Sequence, residues 1–192
     1  MADETAVAGV LLAAGRAKRM AGASKVLALF EGEPLVRRQA KRLIASLCDK
    51  VVVVTGHEHQ RVADVLAELT VHIIHNDDYL QGMGTSIAAG AGALEDKALL
   101  LTFADMPELT TDHFNTIIQS WNGKNIVRGA DGDKPGHPIL FPAFHLNDLR
   151  ALQGDFGAKN LVRDATLVDI GVAATLDVDT PEAVRRAGGE PG

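Results

Sequence analysis

Cysteine is nearly absent: Cys48 stands alone among 192 residues, so neither an intrachain disulfide framework nor a cluster of thiolate metal ligands is available. It lies late in an amphipathic segment and reads as a structural thiol. Long apolar runs are also missing, none approaching the roughly 18–20 residues needed to span a bilayer. There is no excess of positive charge either. The net charge of −6 argues against duplex nucleic acid or an anionic membrane as the main partner, since both reward a basic surface. The acidic opening "MADETA" is unlike a signal or transit peptide, and a soluble, cytoplasmic protein is expected. Two phosphate-loop fingerprints are missing as well: "GxxxxGK[ST]", and "GxGxxG" with an acidic residue closing a later strand. His57, His59, His72, His75, His113 and His145 have no metal-like helical spacing with carboxylates, and read as surface or core polar residues.

What remains is an ordinary globular composition, with 46% hydrophobic and 23% charged residues. A single domain is expected over residues 1–187, with "AGGEPG" ending in a flexible tail over 188–192. "AVAGVLLA" (6–13) is a continuous apolar run, as for a strand covered on both faces. From Pro34 the period becomes helical: Val36, Ala40, Leu43, Ile44 and Leu47 form one stripe, and Arg37, Arg38, Lys41 and Arg42 face away as a solvated surface. "KVVVVTG", "VHIIH" and "KALLLTF" are further strands. They alternate with helices around Val62–Leu69, over 85–94 with small residues on its packing face, and over "TTDHFNTIIQSW", capped by Thr110, Thr111 or Asp112. This rhythm implies right-handed crossovers, hence a three-layer α/β/α, Rossmann-like and mostly parallel sheet. Beyond Trp121, "NIVRGA" and "HPILF" are expected as antiparallel strands joined by the turn-rich "DGDKPG". A helix near 143–152, short strands in "DATLVDIG" and "ATLDVDT", and a closing helix at Pro181 complete the reading.

In an open parallel sheet ligands bind at the carboxyl edge of the strands, so the loops there carry the interest. The loop after the first strand, "AAGRAKRMAGASK", holds Gly15, Arg16, Arg19 and Lys25. Gly15 permits a positive φ and a close backbone approach to an anion, and the cations could meet phosphate oxygens. A surface loop with solvated cations fits the same spacing. Asp105, just past "LLLTF", is aimed into the crevice or merely caps the following turn. Asp177 and Asp179 are taken as strand residues of which one points at the site, and Thr180 as the cap of the last helix.

"LLAAGRAKRMAGASKVL" resembles the nucleotidyltransferase signature LAAGxSxRMGxxK. Leu12, Ala13, Ala14, Gly15, Arg19, Met20 and Lys25 match in register, while Ala17 replaces Ser and Ala21 replaces Gly. "QGMGTSIAAG", "LLTFADMPELT", "GHPILF", "LQGDFGAKNLV" and "LDVDTPEAV" follow in the order found in the MocA-like molybdenum cofactor cytidylyltransferases of the MobA-like NTP transferase superfamily. The resemblance implies a sheet of the nucleotide-diphospho-sugar transferase type and a Mg²⁺-dependent transfer of a nucleotidyl group from CTP to the phosphate of molybdopterin. It places Lys25 and Arg19 on the triphosphate, and Asp105 and Asp179 on Mg²⁺, with Asp177 as the runner-up. It places the base near Leu12, Ala13 and the loop of Gly82, Met83, Gly84, Thr85 and Ser86, whose hydroxyls equally suit helix capping. His137, Gly154 and Asp155 fall to the acceptor, although a lone histidine also suits a structural role. Other acceptors or bases (GTP with molybdopterin, a sugar or polyol phosphate) remain, as does delivery of the cofactor to an apo molybdenum hydroxylase. An NAD-dependent oxidoreductase is the poorest fit, lacking a dinucleotide fingerprint.

Overall fold

The computed structural model describes residues 6–16, 20 and 24–192. The apolar run becomes strand β1 (Val7–Ala13), buried throughout. Two very short strands follow, β2 (Leu29–Phe30) and β3 (Glu33–Pro34), and then helix α1 (Leu35–Ile44). Next come β4 (Lys50–Thr55), α2 (His59–Leu66), β5 (His72–His75), α3 (Met83–Gly92), β6 (Ala98–Phe103) and α4 (Thr111–Gln119). The last part holds β7 (Val127–Asp131), β8 (Lys134–Phe141), α5 (Leu146–Arg150), β9 (Thr166–Asp169), α6 (Pro181–Arg186) and β10 (Gly189–Glu190).

The main sheet has seven strands in the order β5-β4-β1-β6-β8-β7-β9. Strands β5, β4, β1 and β6 pair in parallel, and β8 runs against both of its neighbours, β6 and β7. On one face Val51, Val53 and Leu100 pack against Val36 and Leu43 of α1, Val62 of α2 and Phe114 of α4. On the other, Val10, Val52 and Leu101 meet Ile87 of α3 and Leu146 and Leu149 of α5. Both faces are therefore dry, which is why β1, β4 and β6 read as unbroken apolar runs rather than alternating ones. The three-layer α/β/α architecture expected from the strand–helix rhythm is the one found. Helix α3 does pack through small residues: a Cβ on Gly90 would lie 2.6 Å from Val10 Cγ1.

Four expectations are corrected. Arg37 and Arg42 are not a solvated face: Arg37 Nη1 donates to the Val65 carbonyl (2.6 Å), and Arg42 Nη1 to those of Pro107 and Leu109 (2.7 and 2.6 Å). Long side chains on a helix flank reach across to the carbonyls of neighbouring loops, so periodicity alone misreads them as solvated. Ile44 and Leu47, at the end of the apolar stripe, are exposed. Residues 174–180 form no strand; the backbone there is held by contacts such as Val178 N–H to the Asp105 carbonyl (2.9 Å). Finally, the expected frayed end contains β10, which joins β2 and β3 in a small antiparallel sheet. Beneath it Met20, Phe30, Leu35, Val178 and Val184 form a separate cluster.

Candidate active site

The carboxyl ends of β1, β4 and β6 point the same way, because these strands are parallel and in register, with Leu12 opposite Phe103. The antiparallel β8 enters the sheet at that same edge, so its first residues join the exits of its neighbours. Between them opens a cavity of about 820 Å³, large enough for a nucleotide-sized ligand.

Several of the expected residues meet on its walls. Leu12, Ala13, Ala14, Gly15 and Arg16 contribute from the end of β1 and its loop, and Lys25 from the segment beyond. Gly82, Met83 and Ser86 contribute from the start of α3. Asp105 comes from the turn after β6, His137 from β8, and Asp155 and Asp179 from later loops. Arg19 lies outside the described residues. Gly15 has no positive φ, and a Cβ placed on it would meet no atom within 4 Å. Its freedom is thus toward the open cavity, not in its backbone conformation.

Gly84, Thr85 and Gly154 are not among the lining residues. Their chemistry is spent on one another and on neighbouring loops. Gly82 has φ +127° and its would-be Cβ falls 2.3 Å from the Gly154 carbonyl carbon, while one on Gly84 falls 2.8 Å from the Gln153 and Gly154 carbonyl oxygens. Two loops therefore touch backbone to backbone where only glycine fits. Thr85 Oγ1 lies 3.0 Å from the Asp78 carbonyl and 2.9 Å from that of Gly82, and receives Asn76 Nδ2 (2.9 Å). Asn76 also donates to Ser86 Oγ (3.0 Å). Buried Asn76, which carried no motif, thus locks the start of α3.

Asp105, Asp177 and Asp179 offer oxygens that all lie within 4.8 Å of one another. The expectation that just one of Asp177 and Asp179 faces the site is corrected: both line the cavity. Residues two apart on an extended chain share a face, and Val178 between them turns the other way, fully buried in the small cluster. Lys25 Nζ sits among the carboxylates, in contact with Asp105 Oδ2 and 3.0 Å from Asp179 Oδ1. Burial opposes the lysine's charge, but Asp105 and Asp179 more than offset it and hold the ammonium above its ordinary pKa. Burial also raises the Asp177 carboxyl, and the like charges of Asp179 and Asp105 add to that.

Three clustered hard oxygen donors suit Mg²⁺, which binds through a few carboxylates and keeps water and phosphate in its remaining positions. The Lys25 ammonium already occupies this nest of negative charge, which shows that the cluster accommodates a cation. The loop carrying Asp105 is itself braced from below. Buried Gln39 of α1 donates to the Met106 carbonyl (2.8 Å), and Arg42 holds the next two turns.

On β8 His137 packs edge-on to Phe103, ring centroids 4.5 Å apart, with its Nδ1 buried and unpartnered among the described residues. Burial, with Arg128 adding repulsion, lowers the imidazole pKa to about 4, so it is neutral near pH 7. Arg128 and Lys134 line the cavity too and were not anticipated. The one available signal was that the "DGDKPG" turn precedes His137 in an antiparallel hairpin, which carries the turn to the crevice edge. Among the described residues no helix is long and apolar enough to cross a membrane.

Comparison with known proteins agrees with this geometry. Residues 9–170 match the MobA-like NTP transferase domain. The chain is 32% identical over 185 residues to the molybdenum cofactor cytidylyltransferase of Escherichia coli K12, covering 93% of each chain. It is 31% identical over 198 residues to the nicotine blue oxidoreductase of Paenarthrobacter nicotinovorans, covering 96% of this chain and 97% of that one. In three dimensions it is similar to Rv0371c of Mycobacterium tuberculosis H37Rv, with a TM-score of 0.85, 22% identity, and 96% and 98% of the two chains covered. The fold and these likenesses support a nucleotidyltransferase, and with most of its length matched the chain belongs to the MobA-like NTP transferase family.

Proposed function

We propose that the protein transfers a cytidylyl group from CTP to the terminal phosphate of molybdopterin carrying molybdenum, releasing pyrophosphate. The observation that carries this reading is the pairing of Lys25 with the Asp105–Asp177–Asp179 cluster on the cavity that the Leu12–Arg16 loop also lines. In such a reaction an acceptor phosphate oxygen attacks the α-phosphorus in line. A new P–O bond forms as the bond to the β-phosphate breaks, and pyrophosphate leaves with the electron pair. Both reactants are anions, so catalysis rests on neutralising and aligning them.

Lys25 and Arg16 supply positive charge on the triphosphate side, with Arg19 expected to assist. Asp105, Asp177 and Asp179 would hold Mg²⁺, which when bound would offset charge on the triphosphate oxygens. Backbone groups of Leu12, Ala13 and Gly82, with the Ser86 hydroxyl, would give a flat base a polar edge to read. His137, neutral and walled by Phe103, excludes water at the acceptor end without adding a proton that would compete for phosphate oxygens. The cytidylyl choice is supported by the LAAG form of the first loop and by the similarity to the E. coli enzyme.

The decisive measurement is pyrophosphate release from purified protein with Mg²⁺, molybdopterin carrying molybdenum, and each labelled triphosphate in turn. Release with CTP is expected; release with GTP alone would move the activity to guanylyl transfer. A second reading takes its motive from the nicotine blue oxidoreductase, which is nearly as similar. Loss of NAD(P)H absorbance with nicotine blue as acceptor, and no pyrophosphate from any triphosphate, would favour it.

A further inference from the structure

Several surface cations among the described residues are neutralised by a nearby carboxylate. Arg38 meets Glu31, Lys41 meets Glu33, Arg61 meets Glu58, and Lys97 meets Asp49. Among the described residues Arg128, Lys134, Lys159 and Arg163 pair with no carboxylate, as is true of several other cations, but these four are gathered around two cavities. A shortage of partners is not the cause, since acidic residues outnumber Lys and Arg, 25 to 19.

These four cations stand around a single wall. Arg128 and Pro135 line the main cavity and also a second cavity of about 390 Å³, whose other walls include Lys159 and Arg163, with Asp133 as its one carboxylate. Lys134 lies beside Pro135 on the main-cavity side. The guanidinium of Arg128 is held in place, since Nε and Nη2 both donate to the Gly136 carbonyl (3.1 and 2.9 Å). A fixed, half-buried cation opening on two cavities is pre-organised for an anion that spans them. Gathered like charges repel one another until such an anion arrives.

We propose that the second cavity is an annex of the acceptor site. Its ligand would be an acceptor with two separated anionic groups: a reacting phosphate beside Arg128 and Lys134, and a second negative group beside Lys159 and Arg163. This rests on the His137 end of the main cavity being the acceptor end, but not on the identity of the base or of the acceptor.

The test is calorimetric titration of the intact chain, saturated with Mg²⁺ and whichever triphosphate stabilises it most. The probes are hexyl phosphate and hexane-1,6-diol bisphosphate. The bisphosphate is expected to bind ~10-fold more tightly, as a tethered second contact does, and more steeply salt-dependently. Lys159→Glu with Arg163→Glu, both at exposed positions, should abolish that preference while leaving hexyl phosphate within about twofold. The neutral pair Lys159→Gln and Arg163→Gln should also lose it, which separates lost attraction from introduced repulsion. Equal binding of the two probes by the unaltered protein, or a preference that survives both double variants, overturns the annex. Molybdopterin takes no part in the measurement, so failure of cytidylyl transfer and failure of the annex are separately visible.

Discussion

Two groups of side chains on the main cavity treat charge in opposite ways. In one group, Asp105, Asp177 and Asp179 gather around Lys25 within a few ångströms, pairing with it and keeping an excess of negative charge. In the other, Arg128 of β7 and Lys134 of β8 face the cavity without carboxylate partners among the described residues, beside an imidazole kept neutral by burial. A self-paired cluster must exchange partners when a metal and a triphosphate enter. An unpaired cationic wall simply waits for an anion. The first arrangement suits a substrate that brings its own counterion; the second suits one that does not.

The sharpest way to break this comparison is Asp105→Ala. Losing a carboxylate from the nest should lower pyrophosphate release on the order of 10²–10³-fold at ordinary Mg²⁺, with the thermal midpoint nearly unchanged. Near-normal rates would remove Asp105 from the metal role. Lys25→Ala comes next. It should cut the catalytic rate by roughly 10–100-fold and yet tighten Mn²⁺ binding in the absence of nucleotide by about 10-fold, because the resident cation has gone. Manganese relaxation titrations would show this, and weaker metal binding in the variant would refute the exchange of partners. An effect on acceptor affinity alone would put Lys25 in the wrong subsite.

Gly84→Ala sharpens the contrast on the structural side. Its methyl would press on the Gln153 and Gly154 carbonyls, and unfolding in denaturant should report a loss of roughly 1–3 kcal/mol, against no loss if the loops can part freely. The gentlest effect concerns His137. Its folded pKa lies below the usual 6.5, so its contribution to stability is present above that value and drains away as the pH falls toward about 4. The slope should be at most about 1.4 kcal/mol per pH unit. His137→Gln should flatten that stretch of the stability profile, and an unchanged profile would place the titration elsewhere.

What could be read from the sequence follows from the range of the forces involved. Strands β1, β4 and β6 were legible because burial on both faces imposes unbroken apolar runs. Helix α4 was legible because Thr110 caps it locally, accepting from His113 N–H (3.4 Å). Strands β2, β3 and β10 are two residues each, too short to show a period, and exist through pairing between distant segments. Within the site, Gly15, Lys25, Asp105, Asp179 and His137 sat inside recognisable motifs. Gln39, Asn76 and Arg128 did not, because their importance lies in which carbonyls and hydroxyls the fold brings within reach. Asp177 was discounted through a misjudged alternation, and Val178 facing the core resolves it.

One property of β8 reaches further. Because this strand starts at the crevice and buries its later half between β6 and β7, the hairpin tip at 131–135 forms a lip hung on an anchored stem. Rewriting that lip would change which molecules are admitted beside the triphosphate while leaving the stem, and the carboxylate–lysine group, untouched. A fold assembled this way can trade one partner for another at the cost of a handful of surface residues.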